Sequence, residues 1–271
     1  MPPEWTVIIP VKPLDRAKSR LVPGRGDSAA VAFAFFQDAL AAVSASESVR
    51  ATVVATSDPL VAAWARDHGA AVVDDSAADG INAAAAHAAR WVGADAHVAI
   101  VVSDLPCLTP AALDAVLSLA ASEDRAFVRD AAGTGTTIWT SSTGVVASRF
   151  GPASAAAHLA DGDADLVSAG DPDGLAPARR DVDTRDDLAS ARALGVGPRT
   201  AALLVVALLV TVAEESAVGP DVVVPVVDES GHWHHVPGPV LAGAGFRLVR
   251  AGQRLVVELD PTGSTVSARI P

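Results

Sequence analysis

One cysteine, one methionine and no tyrosine occur in 271 residues, and aromatic residues make up only 4% of the chain. The lone cysteine, Cys107, excludes an internal disulfide and fits a reducing compartment. Cations are scarce as well: 20 Lys and Arg face 32 Asp and Glu, a formal net charge of −12. Broad nucleic-acid binding needs many Lys and Arg contacts to phosphate, so that partner class is not expected. The longest apolar run, Ala201 to Ala213, is too short to cross a bilayer as a helix, so no membrane partner is expected either. No basic segment leads into an apolar one at the start, which argues against a signal peptide and for a soluble cytoplasmic protein. His232, Trp233, His234 and His235 crowd too closely for a zinc pattern and read as a solvated hairpin.

Half of the residues are hydrophobic, enough for a substantial core. The length suits a domain of about 200 residues with a small appendage. Strand and helix signals alternate through most of the chain, the βαβ pattern of a parallel or mixed sheet. Trp5 to Val11 reads as a buried first strand. Helices are expected over 28–43, 59–67, 81–91, 109–120, 152–159 and 184–193, and strands over 51–55, 71–73, 98–102, 126–128 and 136–139. Near Gly195-Val196-Gly197-Pro198 the helical signals stop. Beyond it, short β-type runs (203–212, 222–227, 246–249, 255–259 and 265–270) suggest a small closed or sandwiched β unit. The expected division is therefore 1–197 and 201–271.

The first strand ends in prolines and releases Lys12, Arg16, Lys18 and Arg20. Ligands of open α/β sheets bind outside the carboxyl ends of strands, so this basic loop lies where a polyphosphate would be held; the bland alternative is a solvated turn. Asp104 follows the buried run Val98 to Val102 and precedes Leu105-Pro106, a position suited either to holding a divalent cation or to capping the next helix. Asp181 and Asp183 fall on one side of an extended segment, with one of them expected to cap a helix. These carboxylates would make a hard, oxygen-rich site suited to Mg²⁺ on phosphate oxygens. Gly133-Thr134-Gly135-Thr136-Thr137 joins two strands and so is no dinucleotide fingerprint. Phe150-Gly151-Pro152-Ala153-Ser154 and Asp79-Gly80-Ile81-Asn82 both precede helices. The first could receive an anion, the second a purine edge.

In order and spacing, Pro10-Val11-Lys12 with Lys18-Ser19-Arg20-Leu21, Gly80-Ile81-Asn82, Asp104-Leu105-Pro106, the Gly133–Thr137 turn, Phe150-Gly151-Pro152 with Ser154, and Asp181-Val182-Asp183-Thr184 resemble the 2-phospho-L-lactate and phosphoenolpyruvate guanylyltransferases of coenzyme F-420 biosynthesis. The resemblance covers about residues 5–195, with Ile81 standing where Leu is usual and Ala153 where Gly is common. It implies an α/β fold, nucleotidyltransferase-like, with a central mixed sheet flanked by helices. It implies phosphoenolpyruvate binding at Thr136, Gly151 and Ser154, and Mg²⁺ at Asp104, Asp181 and Asp183. Lys12, Arg16, Lys18 and Arg20 would hold GTP together with Gly80 and Asn82, and Lys12, Lys18 and Asp104 would serve catalysis. A downstream transferase of the same pathway is an implied partner.

The reaction expected is attack of an acid's phosphate on the α-phosphate of GTP. Such a phosphate is largely ionised at neutral pH, so no strong base is required. Relatives with a molybdopterin or sugar phosphate acceptor are the enzymatic alternative. The residues after Gly197 resemble a degenerate cold-shock or OB-type barrel without its base-stacking aromatics, and suit a structural or docking appendage better than RNA binding.

Overall fold

Trp5–Pro10 forms β1, in which every residue is buried. Trp5, Val7 and Ile9 enter one apolar cluster and Ile8 the opposite one, as the two-residue period of a strand requires. A strand buried on both faces belongs inside a sheet covered by helices on each side. The structure, a computed structural model, describes residues 4–16, 25–203, 206–259 and 264–271.

The chain continues through α1 (Arg25–Ala45), β2 (Val49–Ala55), α2 (Pro59–Asp67), β3 (Ala71–Val73) and α3 (Gly80–Val92). Next come β4 (His97–Val101), α4 (Pro110–Ala120), β5 (Arg125–Arg129), β6 (Thr136–Ser141) and α5 (Ser154–Ala160). The short elements β7 (Ala164–Asp165), α6 (Leu166–Ala169) and α7 (Ala176–Arg179) precede α8 (Arg185–Leu194) and α9 (Pro198–Leu203). Strand order is β3-β2-β1-β4-β6-β5-β7. The β1 to β4 strands run parallel, and β6 lies antiparallel between β4 and β5. Phe36, Leu40 and Val43 of α1 pack with Leu113, Val116 and Leu117 of α4 on one face. Ala84, Ala85, Ala88 and Ala89 of α3 pack with Phe127, Trp139 and Phe150 on the other. Residues 28–45 of α1 are long and apolar enough to cross a membrane, but half of them are buried inside the fold, as in a core helix.

Local signals set the helix starts. Asp58 caps α2, accepting from the Leu60 and Val61 amides, with Pro59 in the first turn. Thr109 caps α4 in the same way. Thr184, rather than Asp181 or Asp183, caps α8, forming a capping box with Asp187. Asp104 caps no helix, because α4 starts several residues later under its own threonine. The α5 helix begins at Ser154, two residues after the expected start, because Gly151 and Ala153 both have positive φ.

The chain divides into two units, Met1–Thr200 and Ala201–Pro271. The second unit contains β8 (Val206–Val212), β9 (Ser216–Ala217), β10 (Val223–Asp228), β11 (Trp233–Pro237), α10 (Gly238–Gly243), β12 (Leu248–Val249), β13 (Arg254–Leu259) and β14 (Thr265–Arg269). Its main sheet is antiparallel, in the order β11-β10-β8-β13-β14, around Val210, Val224, Val226, Leu255 and Val257. The edge strands β11 and β14 are not paired, but the Thr265 hydroxyl donates to the His235 carbonyl. Two expectations are corrected. Helical structure does not stop at 197, since α9 and α10 follow, and each is too short to show a period in sequence. The strand expected over 246–249 is reduced to two residues. The histidine-rich stretch does form a hairpin, in which Asp228 accepts from the Ser230 and His232 amides and from His234.

Candidate active site

A cavity of about 730 Å³ opens at the carboxyl ends of β1 to β4, where parallel sheets bind ligands. Each strand delivers a polar group to it. Lys12 follows β1, Ser57 follows β2, Asp75 and Asp79 follow β3, and Ser103 and Asp104 follow β4. Gly80 and Ile81 at the start of α3 complete one wall, and Asp183 and Thr184 before α8 complete another. Gly80 has φ 86, a conformation glycine adopts without strain, and it lets the chain turn from the β3 loop straight into the helix.

The loop after β1 is held in place from its neighbour. One carboxylate oxygen of Asp58 caps α2 while the other accepts from the Leu14 amide at 3.0 Å. Lys12 is exposed and lines the cavity. For Arg16 only the backbone is described, and Lys18 and Arg20 lie outside the described residues.

Asp104 and the Asp181–Asp183 segment meet although far apart in sequence. The Val182 amide donates to the Asp104 carbonyl at 3.2 Å, and buried Val182 anchors the segment. Asp183 faces the cavity with Asp104, whereas Asp181 is not among the lining residues. Burial, followed by the neighbouring charges of Asp104, Asp130 and Asp183, pushes the Asp181 carboxyl up to about 7. Such an excess of close negative charge is what a divalent cation would relieve. Among the described residues no three His, Cys, Asp or Glu side chains form a ready cage. The donor set therefore fits a cation shared between one or two carboxylates and phosphate oxygens, the habit of Mg²⁺.

The residues expected to bind phosphoenolpyruvate gather elsewhere. The Ser154 hydroxyl donates to Thr136 Oγ1 at 3.0 Å, and both residues are buried. A hydroxyl that accepts one bond still has its own hydrogen to give. Gly151, at φ 142, is exposed beside them. Neither Thr136, Gly151 nor Ser154 lines the cavity, and α5 has only seven residues. The Gly133–Thr137 turn is tied down by Asp130, which accepts from the Thr134 and Gly135 amides.

Asn82 turns toward the residues that precede α5. Its carboxamide oxygen accepts from the Phe150 amide at 2.9 Å and the Ser148 hydroxyl at 3.0 Å, and its nitrogen donates to the Phe150 carbonyl at 2.8 Å. The side chain is thus engaged with residues 148–150. Cys107 is inert: buried, with its thiol pushed up to about 12 chiefly by burial, it donates to the Ala191 carbonyl.

The model of the family described as guanylyl transferase CofC like matches residues 5–219, most of the chain. The chain belongs to the CofC-like guanylyl transferase family. The phosphoenolpyruvate guanylyltransferase of Streptomyces scabiei is 44% identical over 209 residues, which are 73% of this chain and 95% of that protein. That of Salinispora arenicola is 46% identical over 204 residues, 73% and 92% of the two chains. Among solved structures, a nucleotidyl transferase from Methanothermobacter is 16% identical with a TM-score of 0.45, covering 68% of this chain and 94% of its own. This CofC-like chain is accordingly an enzyme, a guanylyltransferase.

Ser57 and Asp75 line the cavity although the sequence alone does not single them out as site residues. In sequence, Ser57 reads only as part of a helix-capping stretch. Asp75, like Asp104, is an acid just past a short apolar strand, and that parallel is the available signal. Burial pushes the Asp75 carboxyl above its ordinary range, although a hydrogen bond with Ser57 draws it back.

Proposed function

We propose that the chain transfers GMP from GTP to phosphoenolpyruvate, in the biosynthesis of coenzyme F-420. The observation that carries the reading is the joining of Asp104 to the Asp181–Asp183 segment at the rim of a strand-end cavity that also presents Lys12. Family membership supports guanylyl transfer, and the relatives' names support the acceptor.

An oxygen of the acceptor phosphate attacks the α-phosphorus of GTP. That P–O bond forms as the bond to the bridging oxygen of the β-phosphate breaks, and pyrophosphate leaves. The second pKa of a phosphate monoester is near 6, about one unit below neutrality, so the nucleophile is already mostly ionised. No histidine among the described residues lines the cavity, in keeping with that lack of need for a base. The chain's task is then positioning and charge neutralisation. A divalent cation, read here as Mg²⁺, would supply Lewis acidity to the transferring phosphate when bound; Asp104 and Asp183, which line the cavity, would hold it, and Asp181 adds negative charge beside them. Lys12, with Arg16, Lys18 and Arg20, steadies the triphosphate. Asp75 and Ser57 favour guanine over adenine, because the guanine edge offers two adjacent N–H donors to a carboxylate and the adenine edge does not. Thr136, Gly151 and Ser154 receive the acid. A transferase that consumes the diphosphate product is the implied partner, in the cytoplasm.

We read Ala201–Pro271 as an OB-type appendage. A five-stranded antiparallel sheet with α10 between its third and fourth main strands supports that. From 201 onward it carries four Lys and Arg against seven Asp and Glu, which disfavours nucleic acid.

The test is direct. The full chain with GTP, phosphoenolpyruvate and Mg²⁺ should release pyrophosphate and give a product of the mass of enolpyruvyl-diphosphoguanosine. ATP and 2-phospholactate run as parallel arms. Asp104→Asn should lower turnover by about 10²-fold or more without changing the melting temperature. No nucleotidyl product from any arm would overturn the reading, and full activity of Asp104→Asn at saturating Mg²⁺ would remove that carboxylate from the site.

A further inference from the structure

Asn82 makes three hydrogen bonds, and all three go to a loop 66 to 68 residues away. Two of them pair both main-chain groups of Phe150, so the carboxamide acts as a neighbouring strand would. Asn82 is the third residue of α3, whose first two residues, Gly80 and Ile81, line the nucleotide cavity. The wall of that cavity and the loop leading to Ser154 are therefore fastened by the hydrogen bonds of this side chain, beside the apolar cluster that Phe150 shares with α3.

The loop needs fastening. Gly151 and Ala153 both have positive φ, and residues 151–153 are exposed, so their conformation gains little from packing. Phe150, immediately before them, is buried in the cluster that includes Trp139 and Phe127. His158 of α5 adds a second tie, accepting from the Arg149 amide at 3.3 Å. After the loop, Ser154 bonds Thr136 and the Ala155 amide bonds the Thr134 carbonyl. With both ends fixed, the exposed turn can hold one shape.

We propose that Asn82 is a positioning residue: its side chain holds the Ser148–Ala153 loop at a fixed register from the nucleotide cavity, so that the acceptor acid meets the α-phosphate in line. The inference rests on the acceptor assignment proposed above for Gly151 and Ser154. It assigns Asn82 an effect on the acceptor without contact with the nucleotide. Each lost bond loosens the loop, and a loose loop weakens acceptor binding and alignment while the nucleotide cavity keeps its lining.

Initial rates and calorimetric binding of phosphoenolpyruvate with Mg²⁺ test this on the full-length wild type, Asn82→Ala, Asn82→Asp and Ser148→Ala. Asn82→Ala should raise the acceptor KM about tenfold or more, with the GTP KM within about twofold of wild type. Asn82→Asp keeps the acceptor oxygen for Phe150 and Ser148 but sets a carboxylate against the Phe150 carbonyl, so it should also impair the acceptor selectively. Ser148→Ala removes one of the three bonds and should fall between. It also keeps the proposal testable if Asn82→Ala does not fold. A GTP KM that rises as much as the acceptor KM would overturn the proposal by placing Asn82 on the nucleotide. A lower melting temperature with both KM values unchanged would overturn it by making the residue structural only. If the wild type forms no guanylyl product, the functional reading falls and this inference with it. If the wild type forms product and the variants match it, only this inference falls.

Discussion

Ala153 is the one non-glycine residue with positive φ among the described residues, at φ 56. A left-handed L-residue costs roughly 1–2 kcal/mol, since its Cβ crowds the following carbonyl. The methyl is exposed, so packing offsets little of this. Glycine is common at this position in the family that the sequence resembles, and the dihedral angle supplies the reason. Ala153→Gly should therefore stabilise the chain by about 0.5–1 kcal/mol net, after subtracting the greater freedom glycine gives the unfolded state. Urea unfolding with an unchanged slope would measure it. A destabilised variant would show that the alanine methyl contributes more than its strain costs. At this scale some of the convergence was legible: Lys12 and Asp104, read as following strands, and Gly80 and Asp183, read as preceding helices, line one cavity. What could not be read was side-chain direction. Asn82 sits on the expected helix start, yet its amide turns to Phe150, because that partner lies 68 residues away and no local pattern encodes it.

The β6–α5–β7 region is held by a buried network. Asp163 accepts from Trp139 Nε1 and His158 Nδ1 and pairs with Arg125, while His158 lies among Phe127, Trp139 and Phe150. His158 Nε2 accepts from the Arg149 amide, so the ring must be neutral there, with its proton on Nδ1. Burial, the largest influence, accordingly holds the imidazole below its ordinary 6.5 even though Asp163 pulls the other way. Below that value the unfolded chain takes up the proton first. The stabilisation from neutral His158 is complete above about 6.5 and is lost as pH falls toward the depressed folded value. The stability gap between wild type and His158→Gln should therefore be wide at about pH 7.5 and narrower at about pH 5.5, by thermal unfolding in matched buffers. A gap that stays constant would show the folded ring to titrate normally. The network was invisible in sequence because it joins residues from several elements, and β7, α6 and α7 are too short to leave a period. The longer helices were legible because their caps, Asp58-Pro59 and Thr109-Pro110, are local chemistry.

For the whole chain, the outcome that matters is where the catalytic unit ends. The sequence suggested a boundary at 195–198, where Gly and Pro cluster, but the backbone of the first unit continues beyond it. The Asp38 carboxylate, buried on α1, accepts from the Arg199 amide at 3.0 Å and the Thr200 amide at 2.8 Å. The Gly197 amide donates to the Pro106 carbonyl, and the Arg199 guanidinium lies over the Trp64 ring. Cutting after Arg199 would remove Thr200 and leave one oxygen of a buried carboxylate without that donor, at a cost of about 1–3 kcal/mol. A cut after Leu203 keeps α9 whole. It removes all of β8, the central strand of the second sheet, so no partial β unit with open edges remains to aggregate. The family match extends to residue 219, past this cut, and so makes the outcome informative. Every residue assigned to nucleotide, cation or acceptor lies before 185. The chain ending at Leu203 should therefore stay monodisperse and keep kcat/KM for both substrates within about threefold of the full chain. A soluble, folded 1–203 chain without guanylyl transfer would show instead that residues 204–219 complete the active enzyme.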